Sequence, residues 1–98
     1  MIMKQYLVTG LDGSDEAALE RRMSARPLHF EKAKALKASG NFILGGAILD
    51  DAGRMKGSMM VVQFESDLAL QAWMDEEPYI LGNVWQQVDI KPFRVADI

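Results

Sequence analysis

Four apolar residues in a row, Met59-Met60-Val61-Val62, occupy the middle of a stretch, Lys56 to Glu65, that has the composition of a β-strand. Successive side chains of a strand point to opposite faces of its sheet, so such a run is apolar on both faces. A strand with one face in water alternates apolar with polar residues instead. This strand must therefore lie between two layers, and the chain has to supply both or borrow one. Its 98 residues are enough for a single domain that buries about two-thirds of its unfolded surface.

The rest of the chain divides around that strand. Ile2 to Thr9 predicts a first strand, and Gly10-Leu11-Asp12-Gly13 has the chemistry of a turn. Ser14 stands at an N-cap position, with Asp15 and Glu16 in the first turn of a helical stretch that runs to about Ala38 and stops at Ser39-Gly40. Pro27 falls inside it. A proline in a helix interior costs about 3 kcal/mol, whereas in a first turn it removes only an N–H without a helical partner. The expectation is thus two segments, the second capped by Ser24; one kinked helix is the alternative.

Asn41 to Leu49 predicts a second strand, carrying the Gly45-Gly46 pair, and Asp50-Asp51-Ala52-Gly53 a hairpin connection to the third. Ser66 can cap a helix from Asp67 to about Asp75. Pro78 ends it or starts another turn, Tyr79 to Asn83 is a loop or short helix, and Val84 to Phe93 is a last strand. The order is βαββαβ, which predicts an α+β fold, the ferredoxin-like antiparallel sheet with both helices on one face. The bare face then needs cover, and a second copy of the chain is the simplest source, so a homodimer is expected.

Composition narrows the function classes. A net charge of -3 gives no reason to expect nucleic acid, whose binding depends on many cationic contacts to phosphates. No apolar run approaches the roughly 20 residues needed to cross a bilayer, and Met1 to Leu11 lacks the features of a signal peptide. The absence of cysteine excludes disulfides, zinc–thiolate sites and thiol chemistry within this chain. A cytoplasmic protein with a small-molecule ligand is the expectation. The glycines do not have the spacing of a dinucleotide or phosphate fingerprint, and no spacing demands a metal, so neither cofactor nor metal is expected.

Several short motifs recur in a recognisable order: Arg26-Pro27-Leu28-His29, Gly40 with the apolar strand through Gly46, Gly57-Ser58, Phe64-Glu65-Ser66, Ala72-Trp73, Pro78-Tyr79 and Lys91-Pro92-Phe93. Together they resemble the YciI-like (YCII-related) family, over nearly the whole chain. The resemblance implies a dimeric α+β barrel and an active site built from a histidine and an aspartate. The histidine carries over to His29. The aspartate belongs to an Asp-Pro-aromatic motif that here reads Glu77-Pro78-Tyr79, one methylene longer, and Ala47 stands where a proline often follows the second-strand glycine.

His29 is the only histidine, and it shares a helical stripe with Ala33 and Leu36 that would face the sheet. Its side chain is suited to proton transfer near neutrality, and equally to being a semi-buried histidine bonded to a backbone carbonyl. Arg22, Arg26 and His29, at spacings of four and three, would form a cationic strip for an anion, or else solvated arginines paired with Glu20, Asp15 or Glu31. Asp75, Glu76 and Glu77 form an acidic run of the kind that is normally solvated. The resemblance assigns His29 and Glu77 as catalytic; Gly45, Gly46, Gly57 and Ser58 could line a pocket by letting backbone approach a ligand, and Arg26, Gly46, Ser58 and Tyr79 are expected around a substrate. Two functions remain open: a small acid–base enzyme acting on a small anionic organic molecule, or a non-catalytic ligand-binding or accessory protein using the same cleft.

Overall fold

The computed structural model describes residues 2–98. Four strands, β1 (Lys4–Asp12), β2 (Phe42–Leu49), β3 (Met55–Phe64) and β4 (Trp85–Phe93), alternate with helices α1 (Ala18–Ala38), α2 (Asp67–Met74) and α3 (Pro78–Leu81) in the order β1-α1-β2-β3-α2-α3-β4. The strands form one antiparallel sheet in the order β2-β3-β1-β4. This is the expected ferredoxin-like α+β arrangement. The double-faced run Met59–Val62 lies in β3, one of the two central strands.

Residues opposite one another in an antiparallel pair share a face. Tyr6 pairs with Val62 and Val8 with Met60, and these four join Phe64, Leu70, Met74 and Tyr79 in the core beneath the helices. The Tyr6 hydroxyl donates to Asp67 Oδ1 at 2.5 Å, tying β1 to the first turn of α2. Burial and that carboxylate push the Tyr6 phenol up to about 12, so it keeps its proton, and the tie persists, throughout the neutral range. The opposite face carries Leu7, Leu44, Met59 and Val61. Val61 is buried by its neighbours in the single chain, while Leu44 stays 49% exposed. The helices thus satisfy one face of the apolar run and leave an apolar strip on the other.

Two turns of the helical region differ from expectation. Helix α1 is continuous through Pro27, so Ser24 caps nothing and there is no second segment. Pro27 lies on the exposed side of the helix, where the carbonyl it frees four residues back can be hydrated. The buried side, with Arg22, Ala25, His29 and Leu36, packs on the sheet across the proline without interruption. The helix also begins later than Ser14: Ala17 is its N-cap, without a side-chain bond, and Asp15 is engaged with the Arg21 guanidinium at 2.6 and 2.8 Å. Its end follows the local signal. Gly40 takes a positive φ of 82°, its N–H donates to the Lys37 carbonyl, and the Asn41 N–H reaches back to Leu36.

The Gly10–Asp12 segment is strand, not turn. Gly10 pairs with Ser58 and Val88, because a glycine is needed in this position: a β-carbon here would overlap the Trp85 indole. A register shift between Leu11 and Asp12 brings Trp85 opposite Asp12 and lays its ring across Gly10 on the helical side of the sheet. The unbroken α1 lines a cleft against β2 and β3. None of the helices among the described residues is long and apolar enough to cross a membrane.

Candidate active site

Glu77 is placed by a change of helix. Helix α2, whose Ser66 cap accepts from the Ala69 N–H at 3.1 Å, ends at Met74, and the chain reverses at Asp75 and Glu76, which remain at the surface. Pro78 then starts α3 at the one helical position where its missing N–H costs nothing. Glu77 becomes the N-cap of α3 and, at 2% exposure, one of the most deeply buried side chains. At the far end of α3, Asn83 takes a positive φ of 58° while Val84 and Asn83 donate to the Tyr79 and Ile80 carbonyls. The short helix is thereby fixed at both ends, with Tyr79 held inward between them.

Oε1 of Glu77 accepts the Tyr79 N–H at 3.1 Å and lies 2.5 Å from Nδ1 of His29. A carboxylate oxygen already accepting from a backbone amide acts as acceptor toward the ring as well, so Nδ1 is the protonated nitrogen and donates. Nε2 of the neutral ring then carries the free lone pair, and it makes no hydrogen bond to protein among the described residues. The imidazole stacks on the Tyr79 ring at 3.9 Å between centroids and 11° between planes, with Trp85 edge-on at 6.1 Å. Orientation and tautomer of His29 are both set by Glu77, and its plane by Tyr79.

The site holds a second polar group. Arg22, one helical turn pair before His29 on the buried stripe, donates through Nη1 to both oxygens of Asp12 at 3.0 and 3.1 Å, and through Nη2 to Ser58 Oγ at 2.8 Å. Asp12 and Arg22 side chains are only 3% and 4% exposed. Arg22 also lies 4.8 Å from the centre of the Tyr79 ring, and Arg26 covers the Phe30 ring at 4.4 Å. Burial pushes the Tyr79 phenol up, Asp12 and Glu77 acting in the same sense and the two guanidiniums against them. It therefore stands protonated at neutral pH.

His29, Arg22, Arg26, Ser58, Tyr79 and Gly46 all border one cleft of about 400 Å³ between α1, β2 and β3. Glu77 lies behind it. Lys34 and Lys37 stand at the same cleft, and no carboxylate is among the described residues lining it. The cleft is thus apolar in its walls, cationic in its charge and supplied with one imidazole. The two glycines of β2 play unequal parts: a β-carbon on Gly45 would press on the Met59 carbonyl at 2.9 Å, whereas Gly46 has open space beside it. The close backbone approach belongs to Gly45.

Every sequence-predicted site residue reaches this cleft or its back wall. The pairs that were weighed for the arginines do not form: Arg21, not Arg22 or Arg26, takes Asp15. Sequence reasoning placed Asp12 in a turn and left Ser58 without a partner. The one signal for their network was Arg22 itself, a charged residue seven positions before His29 on the stripe that faces the sheet.

Fold and site define a ferredoxin-like α+β protein with a histidine–carboxylate pair at an anion-favouring cleft. The YCII-related domain model matches residues 6–94, and the chain belongs to that family. Protein YciI of Escherichia coli O6:H1 (strain CFT073) is 34% identical over 95 residues, covering 91% of this chain and 95% of the relative. An uncharacterised protein of Haemophilus influenzae is 30% identical over 82 residues, covering 78% and 84%. Among solved structures, the 5-chloro-2-hydroxyhydroquinone dehydrochlorinase TftG of Burkholderia phenoliruptrix AC1100, in complex with 2,5-dihydroxybenzoquinone, superposes with a TM-score of 0.80 at 18% identity, over 94% of this chain and 95% of that one. A dimeric ferredoxin-like protein of unknown function from Jannaschia sp. CCS1 gives 0.57 at 14% identity, over 94% and 99%.

Removing one partner of a buried ion pair leaves an uncompensated charge. Asp12→Ala is expected to lower unfolding free energy by about 3–5 kcal/mol in urea titrations, because Arg22 cannot leave the core of the site. A change within a few tenths of a kcal/mol would mean that the pair contributes nothing to the fold.

Proposed function

We propose that this protein is a small enzyme in which His29 moves a proton to or from a small anionic organic substrate, with Glu77 as its orienting carboxylate. The observation that carries this reading is the buried Nδ1–Glu77 bond, which leaves Nε2 on the wall of a cleft otherwise free of carboxylates. A histidine kept only for packing does not need a buried carboxylate behind it. When neutral, the ring acts as base through Nε2; when protonated, the imidazolium is held by Glu77 and returns the proton as acid. Arg26 attracts the substrate's charge, while Ser58, Tyr79 and the open backbone at Gly46 shape its seat. Isomerisation, lactone chemistry and elimination of a halide all need such a positioned proton carrier. The dehydrochlorinase neighbour makes chlorinated hydroquinones a natural first panel for screening.

Turnover separates this from ligand binding without chemistry. General acid–base catalysis is worth about 10²–10⁴-fold in rate. With a substrate found by metabolite screening, His29→Ala should lower kcat by that much, and Glu77→Gln should lower it in the same direction. Unchanged kcat in His29→Ala would remove the histidine from the mechanism; saturable binding with no turnover across the panel would favour an accessory protein.

The same reading includes a homodimer joined through the sheets. The strip of Leu7, Leu44, Met59 and Val61 is the apolar face the helices leave uncovered, and the Jannaschia neighbour is itself dimeric. A stable interface of this kind buries about 1,600 Å² in total. Light scattering should give a dimer at micromolar concentration, and Met59→Lys, at a half-buried position on that strip, should give a folded monomer. A wild-type monomer would contradict the assembly.

A further inference from the structure

Two buried hydroxyls at the cleft have a proton to give and no acceptor among the described residues to take it. Tyr79 is 1% exposed, and its hydroxyl oxygen has no hydrogen-bond partner among the described residues. Ser58 is 3% exposed, and its oxygen is occupied as an acceptor by Arg22 Nη2. Accepting that bond leaves the Ser58 O–H free to donate, and it makes no hydrogen bond to a described residue. Buried polar groups are satisfied in the great majority of cases, so each unused donor calls for an acceptor that the described residues do not supply. Both line the cleft that His29 borders. The guanidinium behind Ser58, held by Asp12, adds positive charge at the same point.

We propose that Ser58 and Tyr79 form an oxyanion-binding pair, and that the substrate is an enolisable carbonyl compound whose acidic C–H faces His29. The inference rests on the acid–base reading above and specifies its substrate class. In the step so defined, Nε2 of His29 takes the proton from the carbon next to the carbonyl. The electron pair of the broken C–H bond becomes the C=C bond of an enolate, and the carbonyl π pair moves onto oxygen, where the Ser58 and Tyr79 hydroxyls donate to it. Where a further C=C bond is conjugated with the enolate, the oxygen lone pair re-forms the carbonyl, the C=C bonds shift along the chain, and the imidazolium returns the proton to the far γ-carbon, completing an isomerisation. Where the β-carbon carries a halide, the enolate re-forms the carbonyl and its C=C pair forms the Cα=Cβ bond as the carbon–halide bond breaks; halide leaves and the proton passes to solvent. Donors aimed at the place where charge develops stabilise the transition state more than the ground state. Because burial keeps the Tyr79 phenol protonated, it is a donor throughout the neutral range.

The probe is 4-nitrophenol, whose phenolate is a stable, coloured oxyanion and needs no turnover. At a pH just below its solution pKa, the wild-type protein should bind it and raise the phenolate absorbance, since the pair favours the ionised form. Tyr79→Phe removes only an unpartnered hydroxyl and keeps the stack on His29, so its fold and melting temperature should hold. Its phenolate affinity should fall about 10- to 100-fold, the range for a hydrogen bond to a charged group. Nitrobenzene, of similar shape and without the oxyanion, should bind both proteins alike. Equal phenolate affinity in wild type and Tyr79→Phe, or no preference for the phenolate over nitrobenzene, would overturn the proposal. His29→Ala keeps the two tests apart: phenolate binding retained there, with no turnover in any variant, would leave the oxyanion pair standing and the acid–base reading fallen. Full turnover of a carbonyl substrate in Tyr79→Phe would do the reverse.

Discussion

One carboxylate oxygen, Oε1 of Glu77, receives both the Tyr79 N–H and the imidazole Nδ1–H, and the arrangement of the cleft depends on those two bonds. A carboxylate taken out of water without partners is strongly disfavoured, so Glu77 can lie in the interior only while both donors are in place. The requirement acts in both directions. It fixes the start of α3, because the amide comes from the second residue of that helix, and it fixes the rotation of α1, because the imidazole must reach down from it. Tyr79 enters the same construction twice, through its backbone toward Glu77 and through its ring beneath His29.

The second polar network solves a related problem on the other side of the Tyr79 ring. Arg22 and Asp12 come from α1 and the end of β1, and Ser58 from β3. Their bonds join the helix to both central strands. A domain of this size has little apolar core to spare, and an ion pair in its interior is a weak source of stability compared with apolar packing. Its presence beside the cleft fits the proposal that this polarity serves a ligand. The unbroken α1 belongs to the same economy. His29 and Arg22 lie on opposite sides of Pro27 in sequence, and a helix that stopped there would lose their common alignment.

The fold was legible because its evidence is local. The alternation of strands and helices, the cap at Ser66, the terminal glycine at Gly40 and the double-faced run in β3 are all visible within a few residues of one another. Gly10 and Pro27 misled because each has a strong local meaning that a distant contact overrides: an indole 75 positions away for the glycine, a continuous buried stripe for the proline. At the site, His29 announced itself by residue type and stripe. Glu77 did not, since an acid in a run of three acids is ordinarily at the surface, and only the family resemblance singled it out. Asp12 was illegible, and so was the bond that ties Ser58 to Arg22, for a simpler reason. Arg22 lies 10 and 36 residues from them, and nothing in their own neighbourhoods marks the pairing.

The central claim is that Glu77 holds Nδ1 and leaves the lone pair on Nε2. Because the chain has one histidine, ¹⁵N-histidine labelling reports on that ring alone. Long-range ¹H–¹⁵N correlation spectra of the untagged protein distinguish the two tautomers of a neutral imidazole directly. The account predicts a protonated, pyrrole-type Nδ1 and an unprotonated, pyridine-type Nε2 in the wild type, with that preference lost in Glu77→Gln. A neutral ring protonated at Nε2 in the wild type would contradict it.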